Sequence, residues 1–164
     1  MVAVRKSFEE GHRRKFLVVV DDTPECDRAI VYAAKRAART GGVVVLLYVI
    51  APGDFQHWLG VEDIMRAEAQ ELAEATLAKA SDRVRSVART EPELVIREGN
   101  MSDEIVALIE SDADIAILVL AAGLSSDGPG PLVTQIAGKA AGHFPIPITI
   151  VPGNLDDDAI AALA

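Results

Sequence analysis

Runs of apolar residues alternate along this chain with stretches whose apolar positions recur every three or four residues, and that alternation predicts an α/β architecture. The first run, 16–20, reads Phe-Leu-Val-Val-Val, as expected for a strand buried on both faces. Asp21-Asp22-Thr23-Pro24 ends it, with Thr23 placed to cap a helix whose first position is Pro24. Ile30, Ala33, Ala34 and Ala37 then recur at helical spacing until Gly41-Gly42. Val43–Ile50 is a second buried strand. Beyond a loop holding Pro52, Gly53, His57, Trp58 and Gly60, the residues Val61–Ala88 read as a long amphipathic helix. Its stripe runs through Ile64, Met65, Leu72, Ala80, Val84 and Val87. Glu93–Glu98 is shorter and more polar, which suits a sheet edge. Asn100 is a cap for a helix carrying Ile105, Leu108 and Ile109, with Asp103 in its first turn. Ile115–Ala122 is the most apolar strand and belongs inside the sheet. A loop over 123–130, a helix over 131–142 and a fifth strand over 146–151 complete the pattern.

Strands alternating with helices predict a single doubly wound five-stranded parallel sheet, which we order 3-2-1-4-5. In such a sheet, ligands bind beyond the carboxyl ends of the strands where the strand order reverses, here between the first and fourth. The loops over 21–24 and 121–130 meet at that point, with Val49 and Ile50 alongside. Gly123, Gly128 and Gly130 lead into a helix N-terminus, a setting in which backbone N–H groups and the helix dipole hold phosphate. The same residues also suit a plain turn-rich connection, since Pro129 and Pro131 have no N–H and Asp127 repels anions. Asp21 has two readings as well. It can accept hydrogen bonds from an adenine amino group or a ribose hydroxyl, or it can serve turn chemistry before Pro24.

Composition narrows the class. The chain has 164 residues, one domain's worth, with 16 Lys and Arg against 25 Asp and Glu for a formal net charge of −9. A single cysteine, Cys26, agrees with a reducing cytoplasm, and no long apolar run or leader pattern points to a membrane or to export. The acidic balance argues against a nucleic-acid partner. Residues 1–15 form a basic arm of local charge +3, expected to be solvated and frayed, which leaves −12 on the rest. The domain proper spans 16–153. In the acidic tail, 154–164, Asp156, Asp157 and Asp158 precede an alanine-rich run and predict a short helix. There is no nucleophile elbow, no Walker-type phosphate loop, and no metal-ligand spacing among His12, His57, His143 and Cys26, so no catalytic or metal-binding set is assigned. His57, beside Trp58, is a candidate to line a pocket above the second strand. Cys26, in a first helical turn, is either a thiol of lowered pKa or a packed, inert one.

The 16–23 segment, the Val45-Leu46-Leu47-Tyr48-Val49 strand, Arg97-Glu98-Gly99 before Asp103-Glu104-Ile105, and Pro147-Ile148-Thr149-Ile150-Val151 together resemble the universal stress protein family, over about 15–153. The resemblance implies a cytoplasmic domain of the adenine-nucleotide alpha-hydrolase-like fold, usually a homodimer through its last strand, with some members binding ATP or another adenine nucleotide. By position, Asp21, preceded by Val20, falls on the family's adenine-side aspartate, and Val49 on the residue that flanks adenine and ribose. The phosphate motif departs from the family's pattern, because its positions fall on Ala121, Leu124, Thr134 and Gln135 and all three glycines are missing. A shifted register through Ser125, Gly128, Gly138 and Lys139 recovers two glycines, but it needs four extra loop residues and puts Gly138 inside the helix. The resemblance thus implies a pocket of altered geometry at Val20, Asp21, Val49, Ala121, Gly123, Gly128, Gly130 and Thr134. Its ligand would be ATP or AMP, with magnesium where needed and at most weak hydrolysis. The alternative is a nucleotide-free dimeric interaction protein whose loop fills the crevice. A strand over 146–151 at the sheet edge, with Ile146, Ile148 and Ile150, is expected to be covered by a second copy.

Overall fold

A computed structural model describes residues 3–52 and 61–164. Its sheet has five parallel strands, β1 (Lys15–Val19), β2 (Val43–Ile50), β3 (Glu93–Glu98), β4 (Ile115–Ala122) and β5 (Ile148–Pro152), in the order β3-β2-β1-β4-β5. The expected doubly wound order is therefore observed. Strand alternation divides the core in two. Phe16, Val18, Val20, Val44 and Leu46 face α1 (Cys26–Thr40) and α2 (Val61–Ala88), whereas Leu17, Val19, Val45, Leu47 and Val49 face α3 (Met101–Ser111) and the helix after β4. Asn100 caps α3 as expected, its side chain accepting from the Asp103 N–H at 3.2 Å.

Four expectations are corrected. First, α1 begins at Cys26 rather than Pro24, and its N-cap, Glu25, makes no side-chain capping bond. Thr23 is not the cap because its N–H and hydroxyl both donate to Asp21 Oδ1, at 3.0 and 2.5 Å, so local turn chemistry outcompetes the helix for it. Second, the stripe on α2 holds only in its second half: Ala73, Leu77, Ala80, Ser81 and Val84 are buried, while Ile64 and Leu72 are each 60% exposed. A 28-residue helix is about 42 Å long, whereas the eight residues of β2 span about 26 Å, so the first turns overshoot the sheet. Third, the segment after Pro131 winds as a π-helix over Val133–Lys139, closed by the Ala140 N–H on the Gln135 carbonyl, and then as a 3-10 turn over Ala141–His143. Gly138 and Gly142 lower the cost of leaving α winding there. Fourth, β5 starts at Ile148, and Ile146 is buried against the π-helix side of the core rather than displayed at the edge.

The basic arm is docked, not frayed. Arg5 donates to the carbonyls of Ile109 and Asp112 at 2.7 and 3.1 Å, satisfying orphan acceptors at the end of α3. The Lys6 N–H meets the Ala113 carbonyl, His12 lies 2.6 Å from Asp114, and Arg13 holds the carbonyls of Gly41 and Gly42. Lys15 Nζ pairs with Asp112 at 2.8 Å and Glu93 at 2.9 Å. Burial pulls the Lys15 pKa down, but those two hydrogen bonds outweigh it and leave it raised.

At the other terminus, Asp156 caps α4 (Asp157–Leu163) by accepting from the Ala159 N–H at 2.8 Å. Ile160 is fully buried among the side chains that pack on α1, and Arg39 donates to the carbonyls of Ala161 and Ala164. Four charges tie three helices together: Arg83 of α2 spans Asp27 of α1 and Asp157 of α4, and Arg28 binds the same two carboxylates. Burial raises the Asp27 pKa, but Arg83 and Arg28 overcome that and hold it below its ordinary value of 3.8. A lowered folded pKa stabilises above that ordinary value, and the gain is lost as pH falls through the folded one. Asp27→Asn is expected to cost about 1 kcal/mol at pH 7, after allowance for partial exposure, and the gap to the parent should begin to narrow below about pH 4. Urea titrations of both proteins at pH 7 and pH 3 check this, and a gap unchanged by acid would contradict it.

Candidate functional site

The strand order reverses between β1 and β4, and there the loops after the two strands part. Three spaces open around this point. A narrow crevice of about 30 Å³ lies directly between the strands, lined by Val19, Asp21, Ala121, Gly130 and Val133 among others. It is far below the several hundred cubic ångströms of a ligand pocket and has room only for ordered water. Beyond it lies a cleft of about 860 Å³. Thr23, Pro24 and Glu25 form one wall; Gly123, Gly128, Gly130, Thr134 and Lys139 line the other. On the opposite face, between α1 and α2, a groove of about 960 Å³ runs past Val20, Asp21, Asp22, Lys79 and Arg83.

The candidate residues are thus divided. Gly123, Gly128, Gly130 and Thr134 share the outer cleft, Ala121 sits in the narrow crevice, and Asp21 stands between crevice and groove. Val20 faces the groove. Val49 is buried in the α3-side core and lines none of the three. His57 and Trp58 lie outside the described residues. Two lining residues, Glu25 and Lys139, were absent from the candidate set. Nothing in a lone glutamate before a helix marks it, and Lys139 arose only in the discounted motif register.

Local hydrogen bonding explains the loop's shape. The Gly123 N–H donates to the Pro129 carbonyl at 2.9 Å, the Gly128 N–H to the Ser125 carbonyl at 3.1 Å, and the Asp127 N–H to Ser125 Oγ at 3.2 Å. The loop therefore closes on itself and spends three donors internally. Gly128 and Gly130 take φ of 118° and 108°, which side-chain-bearing residues rarely adopt. Electrostatically, among the described residues, the outer cleft is lined by one cation, Lys139, against the carboxylates of Glu25 and Asp127. Among the described residues, no group of three His, Cys, Asp or Glu side chains is placed to hold a metal ion.

The Cys26 thiol is buried, donates to the Val19 carbonyl at 3.6 Å, and is pushed up to about 12 by burial, so the packed reading of this residue is the one observed. We expect Cys26 in the native protein to react with a disulfide reagent at pH 8 at least about a hundredfold more slowly than free cysteine, and fully once unfolded. A fast native reaction would contradict the burial.

An open parallel sheet with a loop-lined cleft at its switch point defines a class of ligand-binding α/β domains. The profile of the universal stress protein family matches residues 12–152, and this chain belongs to that family. A search of curated proteins finds no match. Among solved structures, the chain is similar to the universal stress protein UspA from Lactobacillus plantarum, with a TM-score of 0.67 at 18% identity over 84% of this chain and 97% of that one. It is also similar to a universal stress protein from Archaeoglobus fulgidus in complex with dAMP (TM-score 0.56, 21% identity, 84% and 97% covered). A third is a family protein from Arabidopsis thaliana with AMP bound (TM-score 0.60, 19% identity, 88% and 94% covered). Identities this low carry the fold alone. No helix among the described residues is long and apolar enough to cross a membrane.

Proposed function

We propose that this chain is a regulatory module that binds an adenine nucleotide in the outer cleft at the switch point. The observation that carries this reading is the cleft itself, about 860 Å³ and walled by the Thr23–Glu25 turn and the glycine-bearing loop. The AMP and dAMP in two similar structures support it. The donors fit a phosphate group in part: the Thr134 hydroxyl and the Lys139 ammonium face the cleft, while the loop's closed turn withholds much of its backbone. Magnesium would come with a polyphosphate, carried by the phosphates. Asp21 acts on the cleft from outside its lining: it holds Thr23 through Oδ1, which shapes one wall.

Thermal unfolding with AMP, cyclic AMP and ATP-magnesium tests this. A ligand at 100 times its dissociation constant adds about 2.7 kcal/mol, which for a domain of this size raises the midpoint by roughly 5–10 °C. Asp21→Ala, which releases Thr23 from its turn, should reduce the rise. If none of the compounds moves the midpoint, the nucleotide reading is wrong and the nucleotide-free alternative takes its place.

We propose also that two copies join along β5. This strand pairs on one side only, with β4, and Ile150 is 42% exposed on it. Sedimentation at micromolar concentration is expected to give a dimer, and Ile150→Lys a monomer; a monomeric parent would sink the assignment.

A further inference from the structure

Resting on the nucleotide reading above, we propose that Glu25 is the specificity-determining residue of the cleft, and that it selects for adenine ligands carrying few phosphates. Its side chain reaches across from α1 to the loop after β4. Oε1 lies 2.8 Å from where a Cβ on Gly123 would stand and 3.6 Å from the same point on Gly130, and the Glu25 Cβ is 3.5 Å from that of Gly153. The carboxylate therefore sits over the two glycines that begin and end the 123–130 loop. It lies between the narrow crevice and the outer cleft, lining both.

Glu25 occupies the N-cap position of α1 without making a capping hydrogen bond, and it has no ion pair or side-chain hydrogen bond among the described residues. The helix N-terminus favours an anion at this point, and the chain's own carboxylate already supplies one. A phosphate laid against the loop meets Glu25 at close range, with Asp127 a second negative charge and Lys139 the one cation lining the cleft among the described residues. The penalty grows with ligand charge: adenosine is unaffected, a monophosphate is disfavoured moderately, and a triphosphate most. Gly123 is what allows the carboxylate to lie there, since any side chain at that position would push it out.

The experiment compares dissociation constants for adenosine, AMP, ADP and ATP, all without magnesium so that ligand charge rises with phosphate number, in the parent, in Glu25→Gln and in Asp127→Asn. The glutamine is isosteric and removes no capping bond, so folding is preserved. In Glu25→Gln we expect adenosine to stay within about twofold, while ATP tightens about tenfold and AMP by an intermediate factor. Asp127 sits exposed in the same loop, and Asp127→Asn removes the same unit of net charge with a smaller effect expected. Binding with an unchanged dependence on phosphate number in Glu25→Gln, or equal effects in the two variants, overturns the role of Glu25 and leaves the nucleotide reading intact. If no protein binds any of the four compounds, the nucleotide reading fails and this inference falls with it.

Discussion

The pairing of β1 between β2 and β4, with both faces covered, is the constraint on which the rest of the structure depends. Its register sets Val18 opposite Leu46 on one side and Val119 on the other, three fully buried residues in adjacent strands. The chain leaves β1 toward β2 and returns later to β4, so the loops after β1 and β4 must diverge over the sheet's carboxyl edge. The Asp21–Thr23 turn, the 123–130 loop and Glu25 all exist in relation to that divergence. Burial fixes the strands, and the chemistry collects where burial ends.

The two edges of the sheet are treated differently. At the amino edge, Lys15 pairs with Asp112 and Glu93, Arg5 donates to carbonyls at the end of α3, and His12 hydrogen-bonds Asp114, so polar groups there are satisfied locally. On the α1 and α2 face, Arg28 and Arg83 consume Asp27 and Asp157 in the same way. At the carboxyl edge, Glu25 and Asp127 line the outer cleft with Lys139, while Asp21 and Asp22 line the groove on the other face with Lys79 and Arg83. The overall −9 is thus less informative than where its unpaired part lies.

The order of elements and the two edge strands were legible because apolar runs and helical spacing report burial directly, and burial decides β1, β2, β4, α1 and α3. What misled was each place where one residue type serves two masters. Thr23 reads as a cap but is taken by Asp21; Ile64 reads as core but stands on a first turn that overshoots the sheet, and Leu72 points outward beside fully buried Ala73; Ile146 reads as an edge residue but turns inward before β5 begins. The arm reads as solvated because its partners, carbonyls and carboxylates at the ends of distant elements, have no signature in its own sequence. The site was legible as a location and not as a geometry. The loops were correctly brought to the switch point, yet Val49 went into the core and Glu25, unmarked by any motif, came to the centre.

That last exchange bears on how a binding loop can change while its fold stays. A phosphate loop rich in glycine at set positions recognises its ligand through backbone donors that approach closely, a geometry largely indifferent to how many phosphates follow. In the register that the family resemblance implies, Ala121, Leu124 and Thr134 fall at those positions; Pro129 and Pro131 carry no N–H, and three of the loop's other donors are turned inward. With backbone recognition reduced, side-chain charge has the stronger influence on what the cleft accepts, and on the nucleotide reading the balance of Lys139 against Glu25 and Asp127 sets the ligand's charge.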